Sequence, residues 1–283
     1  MKDRVASIQE RLRQISVVGN KNHQLTLTRF FQERFLYRLS KSGYKNHFVL
    51  KGGVLIYALE GETSRPTLDL DLLAKKVAAD KEKVKAIFWD ICSIAHESDG
   101  VCFDSESIET TDINKEGNYS GIRVKVEVSL GKIKQRMQVD IGFGDIIIPK
   151  AIPMTFPTLM GMEQPELLAY TVESLIAEKF EAMIDLADLN SRMKDFYDVY
   201  CLLKKGGYNE QTLQKAISST FARRGTAFSP NHILFTEGFY MDSKRNDQWV
   251  AFLRKSSLDE SLLFQEVMGY VREKLKPVYE GMK

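Results

Sequence analysis

Between residues 122 and 128 the chain alternates without a break, Ile122, Val124, Val126 and Val128 interleaving with Arg123, Lys125 and Glu127. A helix repeats every 3.6 residues and cannot segregate such a pattern; a strand can, with one face on a core and the other in water. Gly131-Lys132 follows, then a second strand pattern over 133–143, so 122–130 and 133–143 read as the arms of a tight hairpin. Shorter strands are expected at 47–50, 67–73 and 101–108. Helical spacing marks the first 40 residues (Ile8, Leu12, Ile15, then Leu27, Phe30, Phe31, Phe35 and Leu39) and 80–96 (Val84, Ile87, Phe88, Ile91, Ile94).

The pattern changes near residue 150. Pro149, Pro153, Pro157 and Pro165 are four of the seven prolines and read as an extended connection. Beyond them helices are expected at roughly 165–188, 194–205, 209–220 and 257–276. The fold class is therefore α+β, with a sheet-bearing half over 1–155 and a mainly helical lobe over 156–283. With 283 residues and 43% hydrophobic content, two modest domains can bury their cores without staples. Forty basic against 38 acidic residues leave a net charge of +2, which excludes a polybasic coat or an acidic tail but permits a local basic cleft. No apolar run reaches 18 residues and the charged start has no apolar stretch behind it, so neither a membrane span nor a secretory signal is expected. Three cysteines (Cys92, Cys102, Cys201) without CxxC spacing argue against a disulfide framework and for a reducing cytoplasm.

The chemistry-bearing segment is Leu68-Asp69-Leu70-Asp71-Leu72-Leu73. Aspartate is depleted in strands, yet two lie two apart here, so period 2 sends Asp69 and Asp71 to one face and Leu68, Leu70 and Leu72 to the core. Adjacent carboxylates repel unless a cation neutralises them, and hard oxygens converging this way suit Mg²⁺ shared with substrate phosphates; the alternative is a solvated edge face. Asp140, between Val139 and Ile141 with Phe143 beyond, sits opposite the apolar face of its strand and is either a third carboxylate, metal-binding or a general base, or a strand-end aspartate. Asp145 is a weaker substitute. Lys51-Gly52-Gly53 joins a strand to a helix through glycines that let a backbone approach phosphate oxygens, or is an ordinary turn. Arg65 is a phosphate contact or a loop cation. Lys179 interrupts the apolar stripe Val172, Leu175, Ile176, Phe180, Met183, so it snorkels, pairs with a carboxylate or binds triphosphate. Asp195 opens a later helix, where an acid commonly complements the dipole. Arg223-Arg224 and Lys244-Arg245, expected in loops, are the basic candidates for RNA phosphates. Leu262, Leu263, Phe264, Val267 and Met268 read as helix core.

In order and spacing, Lys51-Gly52-Gly53, Arg65-x-Thr67-x-Asp69-x-Asp71, Asp140, Ala177-Glu178-Lys179-Phe180, Arg192-x-Lys194-Asp195-x-x-Asp198 and a late Trp249-Val250-Ala251-Phe252-Leu253 resemble the AbiEii/AbiGii toxin family of nucleotidyltransferases, which includes the MenT toxins, over about residues 25–255. The resemblance implies a DNA polymerase β-like nucleotidyltransferase domain with a mixed sheet, a helical lobe completing an active-site cleft, and the toxin of a type IV toxin–antitoxin or phage-defence pair. It implies Asp69, Asp71 and Asp140 as the Mg²⁺ and catalytic carboxylates. Lys51, Gly52, Gly53, Arg65 and Lys179 become NTP-binding residues, and Lys179 and Asp195 catalytic ones. NMP would pass from NTP to an RNA acceptor, the tRNA 3′ end first, blocking translation, with a cognate antitoxin as a further partner. Where many nucleotidyltransferases carry Gly-Ser, this chain has Gly53-Val54, so backbone N–H groups replace a hydroxyl contact. Two rival readings are a transferase acting on a protein or small molecule and a silent NTP-binding regulator on the same fold.

Overall fold

The computed structural model describes residues 2–61, 64–114 and 120–282. Two helices lead, α1 (Lys2–Val18) and α2 (His23–Lys41), the second started by Asn22, whose side chain accepts from the Gln24 N–H. Then come β1 (Phe48–Lys51), α3 (Gly52–Glu60), β2 (Leu70–Ala74), α4 (Lys81–Cys92), β3 (Val101–Asn114), β4 (Ser120–Leu130) and β5 (Ile133–Phe143). β6 (Ile152–Thr155) and β7 (Glu166–Ala169) follow. The remaining helices are α5 (Val172–Leu186), α6 (Met193–Lys205), α7 (Glu210–Arg224), α8 (Glu237–Tyr240), α9 (Ser243–Lys255) and α10 (Phe264–Glu280).

Among the described residues seven strands form one mixed sheet in the order β3-β4-β5-β2-β1-β7-β6. β4 and β5 pair antiparallel from Gly121↔Gly142 to Leu130↔Ile133, the hairpin read from the alternation. β2 runs parallel to β5 and antiparallel to β1, while β1 runs parallel to β7. Val124, Val126, Val128, Val139 and Ile141 are buried, as the period-2 pattern requires. In the same core Phe35 of α2 stacks on Phe88 of α4 at 5.4 Å and meets Phe103 of β3 edge-on at 6.0 Å. The α+β class with a mixed sheet is thus the architecture observed.

Among the described residues, one compact unit takes those within 1–61, 66–144 and 152–169, and a second takes those within 62–65, 145–151 and 170–283. The proline-bearing stretch is more than a connection, because β6 and β7 add two strands to the sheet. Pro153 is tolerated because β6 is the outermost strand, where no second neighbour needs its missing N–H. Glu166-Leu167-Leu168-Ala169 has helix-forming composition, yet it pairs with β1 at Val49↔Leu168 and Leu50↔Ala169, and the expected helix begins only at Val172, capped by Thr171. In the second unit Phe180 of α5 lies 5.8 Å from Phe221 of α7 and 6.3 Å from Tyr279 of α10.

Three further details differ from the sequence reading. Leu68 is 58% exposed rather than in the core, because β2 starts at Leu70 and only Leu70 and Leu72 obey its alternation. Leu263 is exposed because it is the N-cap of α10, which begins at Phe264 rather than near 257. Arg223-Arg224 close α7 and Lys244-Arg245 open α9, so neither pair lies in a loop.

Candidate active site

Backbone register assembles the first cluster. β1 turns into α3 at Gly52, whose φ of +67° falls in the left-handed region that disfavours side chains. Across β1, β2 and β5, Lys51 stands opposite Asp71 and Asp71 opposite Asp140, so three expected residues lie in one row. The Asp71 side chain fills the space beside Gly52: a Cβ there would come within 2.0 Å of Asp71 Oδ2. Gly53 makes similar room for Thr67, whose Oγ1 would be 2.8 Å from an added Cβ. The paired glycines are therefore needed for close approach, and the carboxylate of Asp71 lies at the N-terminus of α3, where the helix dipole favours an anion. Val54, the residue in place of a serine, points into the core.

Asp69, just ahead of β2, accepts a 2.8 Å hydrogen bond from Gln138 Nε2. Gln138 precedes Asp140 by two residues on β5 and so shares its face, which gathers Asp69, Asp71 and Asp140 on one side of the sheet. Asp140 is held by Arg123, its direct neighbour on β4: Nε donates to Oδ1 at 2.9 Å and Nη2 to Oδ2 at 2.8 Å. That bond raises the Arg123 pKa above its ordinary value, with the Asp140, Asp69 and Asp71 charges adding to it against partial burial. In the sequence Arg123 is one more polar position of an alternating strand; its place opposite Asp140 follows only from the hairpin register.

These side chains fit a divalent cation in one respect and not in another. Asp69 and Asp71 supply hard oxygens on one face, matching the one or two carboxylates that Mg²⁺ takes when phosphates and water complete its shell. Among the described residues no group of three or more His, Cys, Asp or Glu side chains is arranged as a metal cage, and both oxygens of Asp140 are engaged by Arg123.

The second cluster belongs to the helical unit. Lys179 Nζ on α5 reaches Asp195 Oδ1 at 2.9 Å and Asp198 Oδ2 at 2.7 Å on α6. Arg65 forks onto Asp198 with two 2.9 Å hydrogen bonds, and Arg192 Nε lies 2.8 Å from Asp195 Oδ2. Both carboxylates are only 1% exposed. Burial alone would lower the Lys179 pKa and raise that of Asp195. The charge of Asp195, then of Asp198, reverses this for the lysine, and the charges of Lys179 and Arg192 reverse it for the acid. Lys179 thus takes the carboxylate-paired option, Arg65 is no loose cation, and Asp195 is more than a dipole complement. Asp198 completes the cluster; its signal was the i, i+3 spacing from Asp195 on the face turned to the Lys179 stripe.

Other candidates are spent elsewhere. Asp145 joins Arg224 at 3.2 Å in the helical unit, and Arg224 also binds Glu181 at 2.5 Å and Glu178 at 3.4 Å. Arg245 pairs with Asp188 at 3.1 Å and covers the Phe239 ring at 4.0 Å. Neither Asp145 as a third carboxylate nor Arg224 and Arg245 as loop cations for RNA fits these pairings.

The family described as Nucleotidyl transferase AbiEii toxin, Type IV TA system, matches residues 34–270. No curated protein matches the chain. Among solved structures, it is similar to JHP933 from Helicobacter pylori at 16% identity, with 92% of this chain and 94% of that one covered and a TM-score of 0.48. It is also similar to an antigenic nucleotidyltransferase-like protein from Paracoccidioides brasiliensis at 13% identity, covering 70% and 88%, TM-score 0.43. A third similar structure is the antibiotic-resistance factor ANT(2'')-Ia at 12% identity, covering 69% and 94%, TM-score 0.40.

Proposed function

Since this chain belongs to the AbiEii nucleotidyltransferase toxin family of type IV toxin–antitoxin systems and is a nucleotidyltransferase, we propose that it transfers NMP from an NTP to an RNA acceptor hydroxyl in a Mg²⁺-dependent reaction. The tRNA 3′ end is the first acceptor, and its modification blocks translation. The observation that carries this reading is the row Lys51, Asp71, Asp140 across three strands, with Gly52 opened for the Asp71 carboxylate and Asp69 on the same face.

Asp69 and Asp71 would hold the Mg²⁺, which when bound offsets the charge that develops on the transferring phosphoryl group. The α3 N-terminus at Gly52-Gly53 offers backbone N–H groups to phosphate oxygens, in place of the hydroxyl that Val54 lacks. Asp140 would take the proton of the attacking hydroxyl or join the cation, and either role requires it to leave Arg123. Lys179, kept charged and fixed by Asp195 and Asp198, would bind the β- and γ-phosphates together with Arg65. The reaction is in-line attack on the α-phosphate, with pyrophosphate leaving. RNA phosphates, a cognate antitoxin and a place in phage defence belong to the same reading, as does a cytoplasmic location; among the described residues no helix is long and apolar enough to cross a membrane.

The experiment is label transfer. The protein is incubated with Mg²⁺, total RNA and each α-labelled NTP in turn, beside an Asp69→Ala variant. Label in a tRNA-sized band with one NTP, lost in the variant, is expected and names the base. Label on the protein itself would move the reading to self- or protein modification, and no label despite NTP binding would favour the silent regulator.

A further inference from the structure

The Asp140–Arg123 fork is placed where the proposed chemistry needs a carboxylate. The two residues are direct cross-strand partners, and each Asp140 oxygen accepts one N–H of the fork. The side chain of Arg123 is 35% exposed and that of Asp140 16%, so the guanidinium has water beside it into which it can withdraw. Asp69 and Asp71 share this face, and carboxylates on one face repel one another until a cation relieves them. A guanidinium does so without leaving the chain, and a divalent ion would do so more strongly, but the two cannot use the same lone pairs together.

We propose that Arg123 is a resident cation that competes with the divalent ion for Asp140: it holds this carboxylate until the ion arrives, and thereby sets how much divalent cation the protein requires. Arg123 is a positioning residue, acting on the reaction chiefly through Asp140. The inference rests on the reading of Asp69 and Asp71 as cation donors.

The test reads cation binding directly, with Mn²⁺ as the probe and the fraction bound followed by electron paramagnetic resonance on the full chain without nucleotide. Wild type, Arg123→Gln, Asp140→Asn, the double variant and Asp69→Ala are compared. Arg123→Gln is expected to bind Mn²⁺ roughly three- to tenfold more tightly, the scale of one partly exposed charge-assisted pair removed from the competition. In the Asp140→Asn background the same change should tighten binding much less, because only the longer-range charge of Arg123 on Asp69 and Asp71 is then removed; an equal gain in both backgrounds overturns the competition for Asp140. Arg123→Lys, which keeps the charge but cannot fork, should fall between wild type and Arg123→Gln, and it serves as the reading if the glutamine variant fails to fold. Unchanged or weaker Mn²⁺ binding in a folded Arg123 variant overturns the proposal and makes the pair a plain cross-strand clamp. Asp69→Ala binding Mn²⁺ as wild type does would remove the cation-donor assignment itself, independently of what Arg123 does.

Discussion

The two carboxylate clusters of this chain use the same residue type in opposite ways. Asp195 and Asp198 are buried, and each is met by two cations: Lys179 bridges both, Arg192 completes one and Arg65 the other. Asp69, Asp71 and Asp140 are partly exposed on a sheet face, the first bonded to a neutral amide, the second lying against a glycine turn, the third on a single arginine. Charges removed from water must be matched by the chain itself or the fold is lost. Charges left at the surface can exchange partners at little cost. The helical cluster therefore fixes a lysine in place, whereas the sheet cluster keeps its carboxylates near water, where the proposed cation would meet them.

The largest effect that would break this contrast is on stability. Asp198→Ala leaves Lys179 and Arg65 short of a buried partner and is expected to cost about 3–5 kcal/mol, read by denaturant unfolding. Asp198→Asn, which keeps an accepting oxygen, should cost less. A loss below about 1 kcal/mol for the alanine variant would mean that the helical cluster exchanges partners as freely as the sheet one.

A pH titration sharpens the comparison, because the sheet unit also contains a buried acid for which the balance falls the other way. Glu33 on α2 is fully buried. One oxygen accepts the Leu159 N–H at 2.9 Å, while the other is 3.6 Å from Arg34 Nε, beyond hydrogen-bond reach. Burial, only partly offset by Arg34, pushes its pKa from 4.5 up to about 7, whereas the cations around Asp195 hold that acid below its ordinary value. For Glu33 the folded value lies above the unfolded one, so its stabilising contribution is full below pH 4.5 and is lost as pH rises through about 7, a change of ~3 kcal/mol. Asp195 has the opposite sign: its contribution is present above 3.8 and lost as pH falls. Glu33→Gln should flatten the decline in unfolding free energy between pH 4.5 and 7 and leave the acid limb intact. An unchanged slope would show that Glu33 is not the titrating group.

Next in size is Gly52→Ala. The left-handed φ costs about 1–2 kcal/mol for a residue with a Cβ, and the added carbon must displace the Asp71 carboxylate. Transferase activity should fall much further than this modest destabilisation implies. Gly53→Ala is expected to be milder, since its φ is unstrained, and its cost is the shift of Thr67, whose Oγ1 and Cβ would lie 2.8 and 3.0 Å from the added carbon. Equal activity losses in the two would remove the special role of the Gly52–Asp71 approach.

How much of this was legible in the sequence depended on the range of the interaction. The β4–β5 hairpin and the buried valines followed from period 2, and the Asp69-x-Asp71 pair announced itself because aspartate is costly inside a strand. The family resemblance, now matched over 34–270, supplied the mixed sheet and the nucleotidyltransferase activity. What stayed hidden was tertiary. Nothing local in Glu166–Ala169 says that β1 needs a parallel neighbour, so a helix-forming segment became β7. Asp198 and Arg65 are 133 positions apart and meet only in the folded chain. Arg123 resembled any solvated strand residue until the register set it opposite Asp140.

The smallest expected stability change tests the sheet cluster most directly. In Asp69→Ala the chain loses one hydrogen bond from Gln138, whose amide is near enough to the surface to turn to water, and one member of a mutually repelling group. The two losses oppose each other, so unfolding free energy should move by no more than about 0.5 kcal/mol in either direction. Label transfer, in contrast, should drop by about 10²-fold or more if the carboxylate holds the cation that offsets charge at the transferring phosphoryl group. The informative quantity is the pairing of the two numbers in one variant. Activity lost with stability kept is the signature of a site built for a ligand; a matching loss of both would give Asp69 a structural role like that of the α6 acids.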